Sequence, residues 1–206
     1  ALQCLSSPDG VDHEDVRMTK RGEGNLSDTR LVDGMVLEAG LTLDRLPRRL
    51  DSGTVLALTC PLEQEEASRE TEIEIEGTDQ WMAFIEAKEA ILKKKTDAVL
   101  ATGANVVLSA EGIEPSIFHA LTDAGCFVLG GIERSGIEDL AKASGATMCD
   151  HLDDADASVL GSFSSLEIET GEGMDGRKER ICLRFGPGAG LVLSLIHISE
   201  PTRLRR

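Results

Sequence analysis

The stretch from Asp79 to Leu100 constrains the fold most, because it carries an apolar stripe at helical spacing and then breaks it with lysines. At 3.6 residues per turn, Trp81, Ile85, Leu92 and Val99 share one face, flanked by Met82, Phe84 and Ile91. Lys88 and Lys95 fall near the middle of the same stripe. A helix packed along its whole length in a core does not normally carry two ammonium groups there. Two readings follow. Either the stripe is core and the lysines snorkel out of it, or part of the helix leaves its own core and shows apolar side chains to something else. The lysines weigh towards the second.

The surrounding pattern is α/β. Thr54 to Cys60 (TVLALTC) is short and nearly all apolar, as a strand covered on both faces should be. Thr71 to Glu76 (TEIEIE) alternates and predicts a strand wet on one side. Leu31 to Leu37 reads as a strand interrupted by Gly34, and Val16 to Thr19 as a short strand. Beyond the long helix, the pattern predicts a strand at Val106 to Leu108, a helix from Pro115 to Asp123 stopped by Gly125, and a strand at Cys126 to Leu129. Ser135-Gly-Ile-Glu138 has the form of a capping box opening a helix from Ile137 to Ser144, with a strand at Ala146 to Cys149 after it. Phe163 to Glu169 and Glu179 to Phe185 flank the turn-rich GEGMDG and read as a hairpin. The expected architecture is a central sheet flanked by helices and β-hairpins, with a long helical protrusion.

Composition removes several function classes. A formal net charge of −16 over 206 residues excludes the basic patch of a nucleic-acid binder. The charge fits either a well-solvated surface or a salt-rich cytoplasm. With no Tyr and a single Trp there are no stacking platforms for single strands. The five cysteines are widely spaced and form no C-x-x-C pair, so neither a zinc cluster nor a redox motif is supported. Reduced thiols in a cytosolic protein are expected. No apolar run is long enough to span a bilayer and no signal-peptide pattern opens the chain. Ala1 begins abruptly, and the chain is expected to be a fragment.

No motif carries chemistry. Gly186-Pro-Gly-Ala-Gly190 lacks the Lys and Ser/Thr of a phosphate loop, and Gly130-Gly131 is not G-x-G-x-x-G. His151 beside Asp150, Asp153 and Asp154 reads as a solvated acidic loop, not a metal site. No Ser, Cys or His sits in a nucleophile motif. Catalytic, cofactor and metal residues are therefore expected to be absent. What remains is the apolar surface: Trp81, Met82, Phe84 and Ile85 on the long helix. For Ile117, Phe118 and Leu121 on the short helix, the residues alone favour core.

Several strings in order and at fitting separations resemble the group II chaperonins, the thermosome and the eukaryotic cytosolic chaperonin. They are SDTRLVDGMVL (Ser27 to Leu37), Pro47, the acidic strand leading into TDQWMAFIEAKEAILKKKTDAV, TGANVVL (Thr102 to Leu108), Gly112-Ile113, FHAL and SGIEDLAKASGA (Ser135 to Ala146). The resemblance covers roughly residues 15 to 193. It implies an incoming intermediate-domain segment at 1–33, an apical, polypeptide-binding domain at 34–186 with a helical protrusion at about 61–95, and a returning segment at 187–193. It implies a cytoplasmic protein whose partners are unfolded polypeptide clients and neighbouring subunits of a double ring. Trp81, Met82, Phe84 and Ile85 would lie near the lid tip, and Phe118 and Leu121 on a chamber-facing helix. ATP and Mg would belong to an equatorial domain of the full-length parent, so this segment would not hydrolyse ATP. The chain departs from the family where Gly130-Gly131 replaces a basic pair and Ala120 a common Tyr. Ser194 to Arg206 turns abruptly basic and is expected to be a tail foreign to the fold, an expression or sequencing scar. The competing expectation is a small-molecule-binding α/β domain of a metabolic enzyme, supported only by the alternation of strands and helices.

Overall fold

Continuous apolar runs need cover on both faces, and the chain supplies it with parallel strands joined through helices. A computed structural model of the chain describes residues 16–21, 30–39, 46–63, 78–173, 176–186 and 193–198. In order, the elements are β1 (Val16–Arg21), β2 (Arg30–Asp33), β3 (Met35–Ala39), β4 (Arg49–Leu50), β5 (Gly53–Leu58), α1 (Thr78–Ala101), β6 (Val106–Ser109), α2 (Pro115–Asp123), β7 (Phe127–Leu129), α3 (Arg134–Ser144), β8 (Gly161–Phe163), β9 (Ser165–Gly173), β10 (Gly176–Arg184) and β11 (Leu193–Ile198). The chain divides into two compact units. The first comprises Ala1–Gly53, Asp139–Gly145 and Ser162–Arg206, and the second Thr54–Glu138 and Ala146–Gly161.

The second unit carries the parallel strands in the order β7-β6-β5. Val55 pairs with Val106, and Val106 with Phe127. On one face Leu56, Leu58, Val107 and Val128 join Leu92 and Val99 of α1 and Ile117 and Leu121 of α2 in a single core. Val55, Ala57, Val106, Leu108 and Phe127 on the other face are equally buried, which explains why these strands show no alternation. The expected TGANVVL string finds its physical role here. The Thr102 hydroxyl donates to the Val99 carbonyl (2.7 Å) and accepts from the Ala104 amide (3.2 Å), which ends α1. Asn105 Oδ1 accepts the Thr54 amide (2.9 Å) and hydroxyl (3.2 Å), tying the starts of β5 and β6. Helix α2 begins with Pro115 in its first turn and stops at Gly125, which takes φ +87°.

The first unit is mostly antiparallel, with β1 and β11 paired in parallel. β3, β10, β9 and β4 form one sheet, and β1, β11 and β2 another. Ile181 faces Ile168 on one side and Leu37 on the other, and Leu183 faces Leu166 and Met35, so one face is apolar. The opposite face holds a small core of Val32, Val36 and Cys182. The buried Glu179 carboxylate, on the same side of β10 as Ile181, accepts from Arg48 at 3.3 Å. The hairpin expected around GEGMDG is present, with strands that run further into the glycines than the sequence suggests, pairing Gly173 with Gly176.

Several expectations shift. Helix α3 starts at Arg134, not Ile137, because the Gly136 and Ile137 amides both reach the Glu133 carbonyl (2.7 and 3.2 Å) and place Ser135 inside the first turn. The strand expected at Ala146 to Cys149 reduces to one bridge between Cys149 and Leu58. Cys149 uses both its amide and its carbonyl on β5, but the Thr147 amide turns to the Val159 carbonyl instead, so no ladder extends. Leu193–Ile198, largely inside the segment set apart as foreign, forms β11 between β1 and β2. Its Leu-Ser-Leu-Ile-His-Ile run has two β-branched isoleucines and apolar residues at four of six positions. The expected strand at 71–76 and the glycine-rich 187–190 lie outside the described residues.

Candidate functional site in helix α1

Helix α1 is long because Thr78–Ala101 holds neither Gly nor Pro and is rich in Ala and Lys. Its two halves meet different surroundings. In the C-terminal half Leu92, Thr96 and Val99 are buried, with Val99 only 1% exposed. The Thr96 hydroxyl donates back to the Leu92 carbonyl at 2.9 Å, which satisfies it without an outside partner. In the N-terminal half the same stripe is open: Trp81 is 52% exposed, Met82 56%, Phe84 38% and Ile85 37%. Ile91 at the flank is 48% exposed. Trp81 and Phe84, three residues apart, stack with ring centroids 6.2 Å apart and planes inclined by 28°.

The two lysines of the stripe now separate. Lys95 Nζ donates to the carbonyls of Pro61 (3.2 Å) and Glu63 (2.6 Å), so its charge is met by backbone acceptors at the edge of the core. Lys88, two turns earlier, is half-buried at the C-terminal end of the open half. Sequence periodicity identified both positions as anomalous; the carbonyls that receive Lys95 lie more than thirty residues upstream and left no local signal.

Helix α2 corrects one expected site residue. Leu121 is fully buried, as is Ile117 one turn before it, and both belong to the core beneath α2. Leu121 therefore has no surface to offer a partner. The physical reason is the i, i+4 spacing, which puts both on the face turned to the sheet. Phe118, one residue off that face, is partly buried and meets His119 edge-on with ring centroids 5.8 Å apart. Ala120 is exposed.

Nothing else among the described residues assembles chemistry. Cys60, Cys126 and Cys149 are free thiols. Desolvation pushes the Cys60, Cys126 and Cys149 thiols up, away from the reactive thiolate. No cluster of three or more His, Cys, Asp or Glu residues is placed to hold a metal among the described residues. The carboxylates of the acidic loop are engaged: Asp150 accepts the Thr59 hydroxyl just past β5, and Asp156 accepts the Ser158 hydroxyl and amide. The Ser158 hydrogen bonds hold the Asp156 carboxyl below its ordinary range. At Gly130 an added Cβ would meet Ile113 Cγ1 at 2.8 Å and the Glu111 carbonyl at 3.0 Å, so a larger residue there requires those neighbours to shift. No helix among the described residues is long and apolar enough to cross a membrane.

An α/β core bearing a helix whose apolar face outruns that core defines a class of fold with known relatives. The model of the TCP-1/cpn60 chaperonin family matches residues 1–175. A thermosome subunit of Methanopyrus kandleri is 33% identical over 168 residues, covering 80% of this chain and 31% of that one. The thermosome subunit beta of Aeropyrum pernix is 35% identical over 157 residues, 76% of this chain and 29% of its own. The open-state monomer of a group II chaperonin from Methanococcoides burtonii superposes with a TM-score of 0.73 at 20% identity, covering 96% of this chain and 42% of that one. The chain belongs to the TCP-1/cpn60 chaperonin family, with the group II members. It spans about three tenths of the length of the thermosome subunits it matches.

Proposed function

We propose that the chain is the polypeptide-binding and lid part of a group II chaperonin subunit, and that the open half of α1 takes hold of unfolded clients. The observation that carries the reading is the continuity of one apolar stripe: Leu92 and Val99 are buried in the core while Trp81 and Ile85, on the same face, are not. Water-exposed apolar area of this kind gains about 25 cal/mol per Å² when covered, before the entropy costs of association. The gain has no directional requirement, which suits a surface that must accept many sequences. Trp81, Met82, Phe84 and Ile85 form the contact set, with Phe118 at the edge of a second one. In the complete subunit, ATP and Mg held elsewhere would drive rigid-body movement of this part within a ring of cytoplasmic subunits.

The small-molecule alternative needs α1 packed along its full length, and a Trp81 that is 52% exposed counts against it. The test is suppression of aggregation of a chemically unfolded client by the 206-residue chain, read by light scattering. Trp81→Glu is expected to weaken suppression by about tenfold in the concentration required, equivalent to about 1.4 kcal/mol. Suppression equal to that of the unaltered chain would overturn the reading.

A further inference from the structure

We infer that Lys95 is a positioning residue that closes the neck of the α1 arm, by tying residues 61–63 to the helix where its buried half begins. Residues 61–63 leave the end of β5 as a short extended segment. Leu62 in its middle is fully buried, bridges Ile113, and accepts the Glu114 amide on its carbonyl at 3.3 Å. An extended chain turns alternate carbonyls to opposite sides. The carbonyls of Pro61 and Glu63 therefore face away from Ile113, where a further strand would normally take them up. No backbone donor does so among the described residues; Lys95 Nζ reaches both instead, at 3.2 and 2.6 Å. One ammonium stands in for a strand neighbour.

The placement of Lys95 gives the contact its consequence. It lies between Leu92 and Thr96, the buried residues where α1 enters the core. Upstream, Trp81 is fourteen residues away, a lever of about 21 Å at 1.5 Å per residue. A small angular freedom at the neck becomes a large displacement at Trp81. The Glu63 side chain is part of the same arrangement, since it fills the space that a Cβ on Gly112 would need. With the ammonium in place the two chains of the neck move together, and the open half of α1 is held in one direction. This matters for client capture only if the proposed role of that half is correct, but the clamp itself does not require a client.

Trp81 is the sole tryptophan, so its fluorescence reports the arm directly. Time-resolved anisotropy of the 206-residue chain without any client is the test. In Lys95→Met the amplitude of the fast, nanosecond component is expected to rise about twofold, the timescale of segment motion. Lys95→Arg, which keeps a charged donor of similar reach, is expected to return the amplitude most of the way. Hydrogen exchange gives a second reading of the neck: the Glu114 amide, bonded to Leu62, should exchange roughly tenfold faster in Lys95→Met while β6 amides stay unchanged. If Lys95→Met fails to fold by far-UV circular dichroism, the same two measurements on Lys95→Gln decide the matter. Unchanged anisotropy and exchange in the folded variant would overturn the clamp, as would loss of protection spread evenly over β6 and the neck. Because no client is in the cuvette, failure of Trp81→Glu to affect aggregation would defeat the client reading and leave this result standing.

Discussion

Leu92→Ala is expected to cost about 2–5 kcal/mol of unfolding free energy, while Trp81→Ala on the same helical stripe is expected to stay within about 0.5 kcal/mol. The two positions lie within about 20° of each other around the axis of an ideal α-helix. Their sequence contexts are similar; their surroundings are not. Leu92 is 7% exposed and packs in the core that joins α1, α2 and the parallel strands. Truncating it removes transfer energy and leaves a cavity that a close-packed interior fills only in part. Trp81 gives up contact with Phe84 and otherwise exposes less apolar surface to water. Urea unfolding followed by far-UV circular dichroism reads both variants, with equal m-values required for a clean comparison. Similar losses for the two would mean that the N-terminal half of α1 is held by its own fold.

Gly34→Ala is expected to cost at least about 2–3 kcal/mol, more than most surface substitutions. Gly34 stands between β2 and β3, where the chain passes from the β1-β11-β2 sheet to the β3-β10-β9-β4 sheet. It adopts φ +138°, a conformation that side chains with a Cβ rarely take. A Cβ there would also run into the Leu183 carbonyl oxygen and stand 3.0 Å from the Arg184 Cα. Both obstacles are backbone of β10, so neither can move aside without disturbing the β10 pairing with β3 and β9. Thermal unfolding is the measurement; a melting temperature within a degree of the unaltered chain would contradict this account of the sheet switch.

The long elements were legible for identifiable reasons. A 3.6-residue period sustained from Trp81 to Val99 leaves one answer, and α1 runs Thr78–Ala101 against an expectation of Asp79 to Leu100. Pro115 and Gly125 bracket α2 so tightly that its bounds agree at both ends. β5, β6 and β7 announced themselves as unbroken apolar runs. What stayed hidden was set by distant partners. β4 is only Arg49–Leu50 in a charged stretch, and it exists because Leu50 pairs with Leu166 while Arg49 meets Glu167 at 3.5 Å. Cys149 makes a single bridge because its neighbour Thr147 finds Val159. The reason for Lys95 in an apolar stripe was two carbonyls on a segment remote in sequence. Leu121 was assigned to a partner-facing surface by resemblance, and its own periodicity with Ile117 pointed to the core, where it is found.

These results divide one helix into a root and an arm. The root is secured by burial of Leu92 and Val99 and by the Lys95 ammonium; the arm carries apolar side chains that its own core does not cover. A net charge of −16 sets copies of the chain against one another electrostatically and opposes contact between their open surfaces.

Acrylamide quenching of Trp81, in the free chain and with an unfolded client added, tests the open arm most directly, since every photon comes from that one indole. The account predicts quenching near that of a solvated tryptophan in the free chain, and a protected, blue-shifted emission once the client is present. An indole already shielded in the free chain, or one whose quenching is unmoved by the client, would contradict it.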